Sequence, residues 1–132
     1  MKIFPAAGFE SSPGGEEKFT GSVWVSTLAP AQTDQGLSIY LVMFAPGART
    51  RWHMHPGEQV LYVLAGSGRL ARESGQVLSI NPGDTVHISP GEKHWHGATP
   101  GGFMSHIAIT NGEGAHWMEP VSEEEYEGRQ SR

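Results

Sequence analysis

Turn-forming pairs of proline and glycine recur along this chain every 8 to 12 residues and limit what it can fold into. The sequence contains 18 Gly and nine Pro, with pairs in PGG, PGA, PGE, NPGD and SPGE. Between them are short runs rich in Val, Ile, Leu and aromatic residues, such as SVWVSTL, LSIYLVMF, QVLYVL and FMSHIAIT. Regularly spaced turns between such runs predict an all-β sandwich or barrel. No internal segment keeps a helical period over three turns.

The length of 132 residues fits one domain with a real hydrophobic core. We expect an irregular N-terminal arm over residues 1–18, a barrel over 19–120, and a short helix and tail over 121–132. The helix is predicted by Ser122 and Glu125, which have the spacing of a capping box. The turns AGSG and ESGQ are typical of hairpin links, so an antiparallel meander is the expected connectivity.

Composition excludes several classes of function. Fourteen acidic residues against nine basic ones give a net charge of -5, which disfavours nucleic acid as a partner. The chain has no cysteine, so any metal must be held by histidine, carboxylate or amide groups. No apolar run reaches 18 residues, so we expect no membrane partner and a cytoplasmic location.

Histidines cluster in two short segments, RWHMHPGEQ and EKHWHGA. In a strand, residues two apart point to the same face, so His53 and His55 point together, as do His94 and His96. A turn after the first pair can bring Gln59 back beside it. Two such pairs, each opening onto apolar strands, predict a metal site. His87 and His116 are interpreted as ordinary surface residues.

The first segment, GARTRWHMHPGEQVLYVLAG, resembles the first cupin motif. Gly47, His53, His55 and Gly66 are in register, and Gln59 stands where glutamate is usual.

The second segment, GDTVHISPGEKHWHGA, resembles the second cupin motif through Gly83, Gly91 and His94. It departs from that motif in two places, since Pro90 is one position late and Ala98 replaces the usual asparagine. The resemblance implies a single-domain cupin, a jelly-roll or double-stranded β-helix barrel, with a short C-terminal helix.

Residues 19 to 127 are similar to the small bacterial cupins that include the manganese-dependent (R)-selective hydroxynitrile lyases. The resemblance rests on FTGSV, PGART, SPGEKHWHGA, SHIAI and WMEPVSEEEY. It implies one divalent metal ion held by His53, His55, Gln59 and His94. Manganese is the expected ion, with iron, zinc or nickel as alternatives.

The resemblance also implies a reaction, the reversible cleavage of an (R)-cyanohydrin such as mandelonitrile into an aldehyde and cyanide. An amide ligand is uncharged, so it leaves the ion a stronger Lewis acid than a carboxylate would. His96 and His106 are the candidates for general acid and base. The expected lining of the substrate pocket is Tyr40, Val42, Ala108 and Thr110.

Two other functions stay open from the sequence. A dioxygenase or another C–C cleaving metalloenzyme would use the same ligands with a redox-active ion. A non-catalytic cupin would only bind a small molecule. The strand LSIYLVMF is apolar on both faces, which a homodimer or homotetramer would explain, and burial of both faces in the core is the competing explanation.

Overall fold

The computed structural model describes residues 1–112 and 114–129 of the chain. These residues form thirteen strands, one 3-10 helix (Ala6–Gly8) and one α-helix, α1 (Glu123–Glu127). The first seven strands are β1 (Ser11–Pro13), β2 (Phe19–Thr20), β3 (Val23–Ala29), β4 (Leu37–Phe44), β5 (Arg49–Thr50), β6 (His53–Met54) and β7 (Gln59–Gly66). The other six are β8 (Gly68–Arg72), β9 (Leu78–Ile80), β10 (Thr85–Ile88), β11 (His94–Ala98), β12 (Met104–Asn111) and β13 (His116–Trp117).

The strands form two antiparallel sheets that enclose the core, so the predicted all-β jelly-roll fold is confirmed. The larger sheet by number of residues has six mostly long strands, in the order β1-β3-β4-β12-β7-β10. In the other sheet, β13-β6-β11-β5-β2 is extended by β8 and β9 beside β11. The main core cluster draws residues from both sheets: Val23, Val42, Phe44, Ala48, Val63, Ile80, Ala98 and Met104.

The predicted meander is wrong, because strands distant in sequence pair. Strand β12 lies between β4 and β7, with Ala108 opposite both Tyr40 and Leu61. The AGSG turn joins β7 and β8, which belong to different sheets, whereas ESGQ joins the paired strands β8 and β9 as predicted. A glycine turn suits either connection. Gly66 has φ +80°, and a Cβ there would overlap the carbonyl oxygen of Phe103.

Alternation along the strands, interrupted in β12 by a register shift between Ser105 and His106, decides which side chains enter the barrel. Along β12, Met104, His106, Ala108 and Thr110 are buried, while Ile107 between them is only partly buried. Strand β7 alternates in the same way from Gln59 to Val63. The period-2 pattern therefore carries both the apolar core and the polar site residues into one interior.

Residues 1–18 are more ordered than the irregular arm that the sequence predicts. The 3-10 helix is followed by β1, which pairs with β3 so that Ser11 lies opposite Ser26. The two hydroxyl oxygens are 2.8 Å apart and hydrogen-bonded. Pro13 is tolerated because β1 is an edge strand, where a missing amide donor removes no ladder hydrogen bond.

The predicted C-terminal helix is present. Ser122 accepts from the amide of Glu125, the Glu125 carboxylate accepts from the amide of Ser122, and Gly128 ends the helix at φ 79°. Residues 130–132 of the predicted tail lie outside the described residues. Across residues 1–112 and 114–129, no helix has the length and apolar character needed to cross a membrane.

The helix is attached to the barrel through the ring of Tyr126 and through an ion pair of Glu123 with Arg49. Tyr126 is buried, and its hydroxyl donates to the carbonyl of Ala98 at 2.5 Å. The guanidinium carbons of Arg49 and Arg69 lie 4.4 and 5.0 Å from its ring centroid. Arg49 also donates to the carbonyl of Val121. Cation–π contacts and hydrogen bonds thus hold α1 against the smaller sheet.

Candidate metal centre

Three histidines meet inside the barrel because two short strands pair. His53 in β6 lies directly opposite His94 in β11, with ring centroids 4.2 Å apart. His96 follows two residues later on the same face of β11. One nitrogen from each ring lies within 4.8 Å of the other two, so these three buried histidines could hold a metal ion.

The other two predicted ligands lie beside this group. The ring of His55 is 5.0 Å from that of His53 and 5.3 Å from that of His94, centroid to centroid. Gln59 begins β7, is buried, and lines the same cavity as His53 and His55. Its amide nitrogen donates to the hydroxyl of Thr110 at 3.0 Å. The amide oxygen is therefore the atom left to act as a ligand.

Backbone carbonyls set the tautomers of two histidines. The carbonyl of Arg51 lies 2.8 Å from Nδ1 of His53, and that of Glu92 lies 2.7 Å from Nδ1 of His94. A carbonyl only accepts, so each Nδ1 carries the proton and each Nε2 keeps a free lone pair. This arrangement is the usual support of metal-binding imidazoles.

Burial keeps the histidines neutral at physiological pH. It lowers the pKa of His53 and His96 well below the ordinary 6.5, helped by the neighbouring His94 and His106 respectively. The pKa of His55 falls to about 4 through burial and then through His94, and burial alone lowers that of His106 to about 4. Burial also lowers the pKa of His94. Neutral imidazoles are the form that binds metals.

Several polar atoms in this region are buried without any protein partner. Unpaired buried polar atoms are rare because each loses its hydration without compensation. Those on the predicted ligands His55, Gln59 and His94 combine imidazole nitrogens with an amide oxygen, which suits a divalent first-row transition metal. These residues therefore fit such an ion. The atoms are Nδ1 of His55, Oε1 of Gln59, Nε2 of His94, Nε2 of His96 and Nδ1 of His106.

His96 and His106, the two predicted acid–base residues, are hydrogen-bonded to each other. Nε2 of His106 lies 3.1 Å from Nδ1 of His96, so a single proton is shared along this line. Phe44 packs against both rings, at 5.9 and 5.3 Å between centroids. The amide of His96 donates to the hydroxyl of Thr50 at 3.1 Å, which fixes the strand behind the pair.

A cavity of about 310 Å³ opens onto these groups. All four predicted pocket residues lie in its wall: Tyr40, Val42, Ala108 and Thr110. The wall also contains four residues that were not predicted from the sequence: Lys18, Phe19, Val25 and Trp117. No local pattern marks Trp117, because it reaches the site only through the long-range pairing of β13 with β6.

Among the histidines, the compact triad differs from the predicted ligand set in one member, since it contains His96 where the prediction has His55. His87 and His116 lie outside the site, as expected. His87 is exposed, with Nε2 2.6 Å from a carboxylate oxygen of Glu58.

The fold and this histidine site define the class of protein. The chain belongs to the cupin family: residues 40–105 match the family model described as "Cupin domain". It is 45% identical over 129 residues to a protein from Granulicella tundricola named (R)-mandelonitrile lyase. That alignment covers 96% of this chain and 98% of the relative.

Two solved structures show the same architecture. A cupin-like protein from Thermotoga maritima has a TM-score of 0.85 and 38% identity, over 92% of this chain and 95% of that one. A polyketide cyclase from Streptomyces resistomycificus has a TM-score of 0.69 and 24% identity, over 96% and 91% of the two chains. The second likeness concerns the fold alone.

Proposed function

We propose that this protein is a metal-dependent carbon–carbon lyase of the hydroxynitrile lyase type. It reversibly cleaves an (R)-cyanohydrin such as mandelonitrile into an aldehyde and cyanide. The observation that carries the proposal is the group of buried, unpartnered nitrogen and oxygen atoms at the wall of a largely apolar cavity. The relative named (R)-mandelonitrile lyase, aligned over 96% of the chain, supports it.

Four residues would hold the metal: His53, His55, Gln59 and His94. Manganese is the proposed ion, and iron, zinc or nickel would suit the same donors. When bound, the ion supplies a Lewis acid that stabilises negative charge on the substrate oxygen. Gln59 favours this chemistry because its amide brings no charge, and Thr110 holds the amide nitrogen away from the ligand position.

His96 and His106 would carry the two proton transfers. Nε2 of His96 can accept the hydroxyl proton of the cyanohydrin when Nδ1 of the same ring donates to Nε2 of His106. As that proton leaves, the C–CN bonding pair departs with cyanide and the aldehyde C=O bond forms. Return of the proton to cyanide gives hydrogen cyanide and restores the neutral rings.

The cavity wall would select the substrate's side group. Tyr40, Val42 and Ala108 present mainly apolar surface, and Thr110 is already committed to Gln59. A small aromatic or aliphatic group fits such a wall better than a charged one, since a buried charge would lose its hydration.

The first experiment is metal analysis of the purified protein, followed by a mandelonitrile assay of metal-loaded and chelator-treated samples. We expect benzaldehyde and cyanide release above the spontaneous rate only with metal. His53→Ala should lower this activity at least about 100-fold, because loss of a ligand exceeds the effect of losing its support. His106→Ala tests whether the hydrogen-bonded pair of His96 and His106 transfers the protons.

His87→Ala is the matched control, since His87 is an exposed histidine outside the site. Equal release by wild type and His53→Ala would reject the lyase proposal. Oxygen uptake with Fe(II) and a panel of phenols or diketones, in the absence of lyase activity, would support a dioxygenase instead.

Gln59→Glu tests the role assigned to the amide. A carboxylate would reduce the net charge of the metal centre, so lyase activity should fall while metal affinity is kept or rises. Unchanged or higher activity would refute the Lewis-acid argument. Gln59→Asn, which keeps an uncharged amide on a shorter side chain, separates charge from reach.

We also infer a homodimer or homotetramer assembled through the outer face of the larger sheet. Trp24, Met43, Tyr62 and Leu64 are each more than 40% exposed there. Burial of this apolar surface would favour association. Light scattering should show that Met43→Glu reduces the oligomer mass, whereas Leu78→Glu on the smaller sheet does not. A cytoplasmic location stays a prediction from the sequence.

A further inference from the structure

Trp117 lies directly on one of the histidines of the metal centre. It belongs to β13, whose register places it opposite His53 in β6. The indole and imidazole rings are stacked, with centroids 4.4 Å apart and planes 22° from parallel. Trp117 is partly buried and lines the cavity onto which His53 opens.

The imidazole of His53 is fully buried and is surrounded by four rings, those of His55, His94, His96 and Trp117. Its Nδ1 donates to the carbonyl of Arg51, and rotation about that one hydrogen bond is limited by the surrounding rings. The neighbouring ring of His94 is tilted by 49°, and that of His55 stands at 87°. Of these aromatic contacts, the indole is the nearest to parallel, so it limits that rotation most directly.

The backbone next to Trp117 is fixed by hydrogen bonds, and Phe19 packs near its ring. The amide of Met118 donates to the carbonyl of Trp52 at 2.8 Å, and the amide of Trp52 donates to the carbonyl of Glu119 at 3.1 Å. The guanidinium of Arg51 donates to the carbonyl of Met118. The ring of Phe19 lies 6.0 Å from the indole, centroid to centroid.

We propose that Trp117 is a positioning residue that holds the imidazole of His53 in the orientation that binds the metal. This inference rests on the proposed metal centre. A ring that is oriented before the ion arrives loses less freedom on binding, so the stack raises metal affinity. The orienting effect comes from the flat face of the indole and not only from the volume of the side chain.

Co(II) titration followed by the absorption bands of the bound ion measures affinity without relying on tryptophan or on lyase activity. Trp117→Met and Trp117→Leu remove the flat face, and methionine keeps much of the volume. Each should lower Co(II) affinity about tenfold, the effect typical of residues that support a metal ligand. Trp117→Phe keeps a flat ring and should stay within about threefold of wild type.

Trp24→Met is the matched control, because Trp24 lies on the outer face of the larger sheet and is not part of the cavity wall. It should bind Co(II) as wild type does. Thermal unfolding of the metal-free variants shows whether a substitution acts on folding alone.

Wild-type affinity in folded Trp117→Met or Trp117→Leu would overturn the inference, as would an equal loss in Trp24→Met. If wild type binds no Co(II), the metal-centre proposal fails and this inference fails with it. Binding by wild type with unchanged affinity in the variants rejects the role of Trp117 alone.

Discussion

The two ends of the barrel interior differ sharply, although the same strands form both. Near Phe44, Val63 and Met104 the interior is apolar and has no exposed surface. Near Gln59 and Thr110 it is polar, and buried ligand-type atoms lack partners. Strand β12 runs from one end to the other, from Met104 through His106 to Thr110.

This difference separates the source of stability from the site of function. Buried apolar side chains stabilise the fold by removing surface from water. Buried polar atoms without partners oppose folding until something binds to them. Burial at the apolar end therefore offsets the unfavourable free energy of the unpartnered polar atoms at the polar end.

The largest effect on stability should follow truncation at the apolar end. Met104→Ala leaves a cavity in the core and should lower the free energy of unfolding by about 2–5 kcal/mol. Urea denaturation of the metal-free protein measures this. Leu78→Ala, at a position 54% exposed, should cost much less. A large loss of metal affinity in folded Met104→Ala would break the distinction between the two ends.

The second prediction is that lowering the pH reduces the free energy of unfolding through the buried histidines of the polar end. Because burial lowers the pKa of His106 to about 4 from 6.5, the unfolded chain binds more protons than the folded one in that interval. Stability is thus fully present above pH 6.5 and falls as the pH drops towards 4, by about 3 kcal/mol for this residue. Urea midpoints measured against pH test it. His106→Phe should flatten the profile, and an unchanged profile would contradict the assignment.

The third prediction is that metal binding stabilises the fold, because the ion gives partners to the buried polar atoms of the polar end. At 100 times its dissociation constant, Mn(II) should raise the free energy of unfolding by about 2.7 kcal/mol. Thermal unfolding with and without metal, and again after chelation, measures the gain. His53→Ala should show none, whereas His87→Ala should behave as wild type. A metal-induced gain of equal size in His53→Ala would place the ion elsewhere.

The smallest expected effect concerns the orientation of Gln59. Thr110→Val removes the hydroxyl that accepts from the Gln59 amide at 3.0 Å, leaving a buried donor unpaired. Stability should fall by about 1 kcal/mol. Thr110→Ser keeps the hydroxyl and should be nearly neutral in the same urea titration. Equal losses in both variants would show that the methyl group, and not the hydrogen bond, matters.

Local pattern predicted the parts of this molecule that depend on neighbours in sequence. The capping box at Ser122, the ESGQ hairpin and the inward face of His53, His94 and His106 follow from turn chemistry and from the period of a strand. Resemblance to known motifs supplied the family.

What local pattern missed depends on pairings between distant segments. The AGSG turn is chemically suited to a hairpin, yet tertiary packing sends it between sheets. Trp117 enters the site because β13 pairs with β6, a partnership across more than 60 residues that no turn signal encodes. The order of strands in a jelly roll is fixed by burial of the whole core, which a single window cannot represent.

The attachment of α1 has a consequence for handling the protein. Tyr126 joins three strands of the smaller sheet: its ring contacts Arg49 of β5 and Arg69 of β8, and its hydroxyl contacts Ala98 of β11. Strand β11 carries His94 and His96. An affinity tag is therefore better added after the last residue than exchanged for the final ten, because shortening the C-terminus would loosen the strand that bears the histidines.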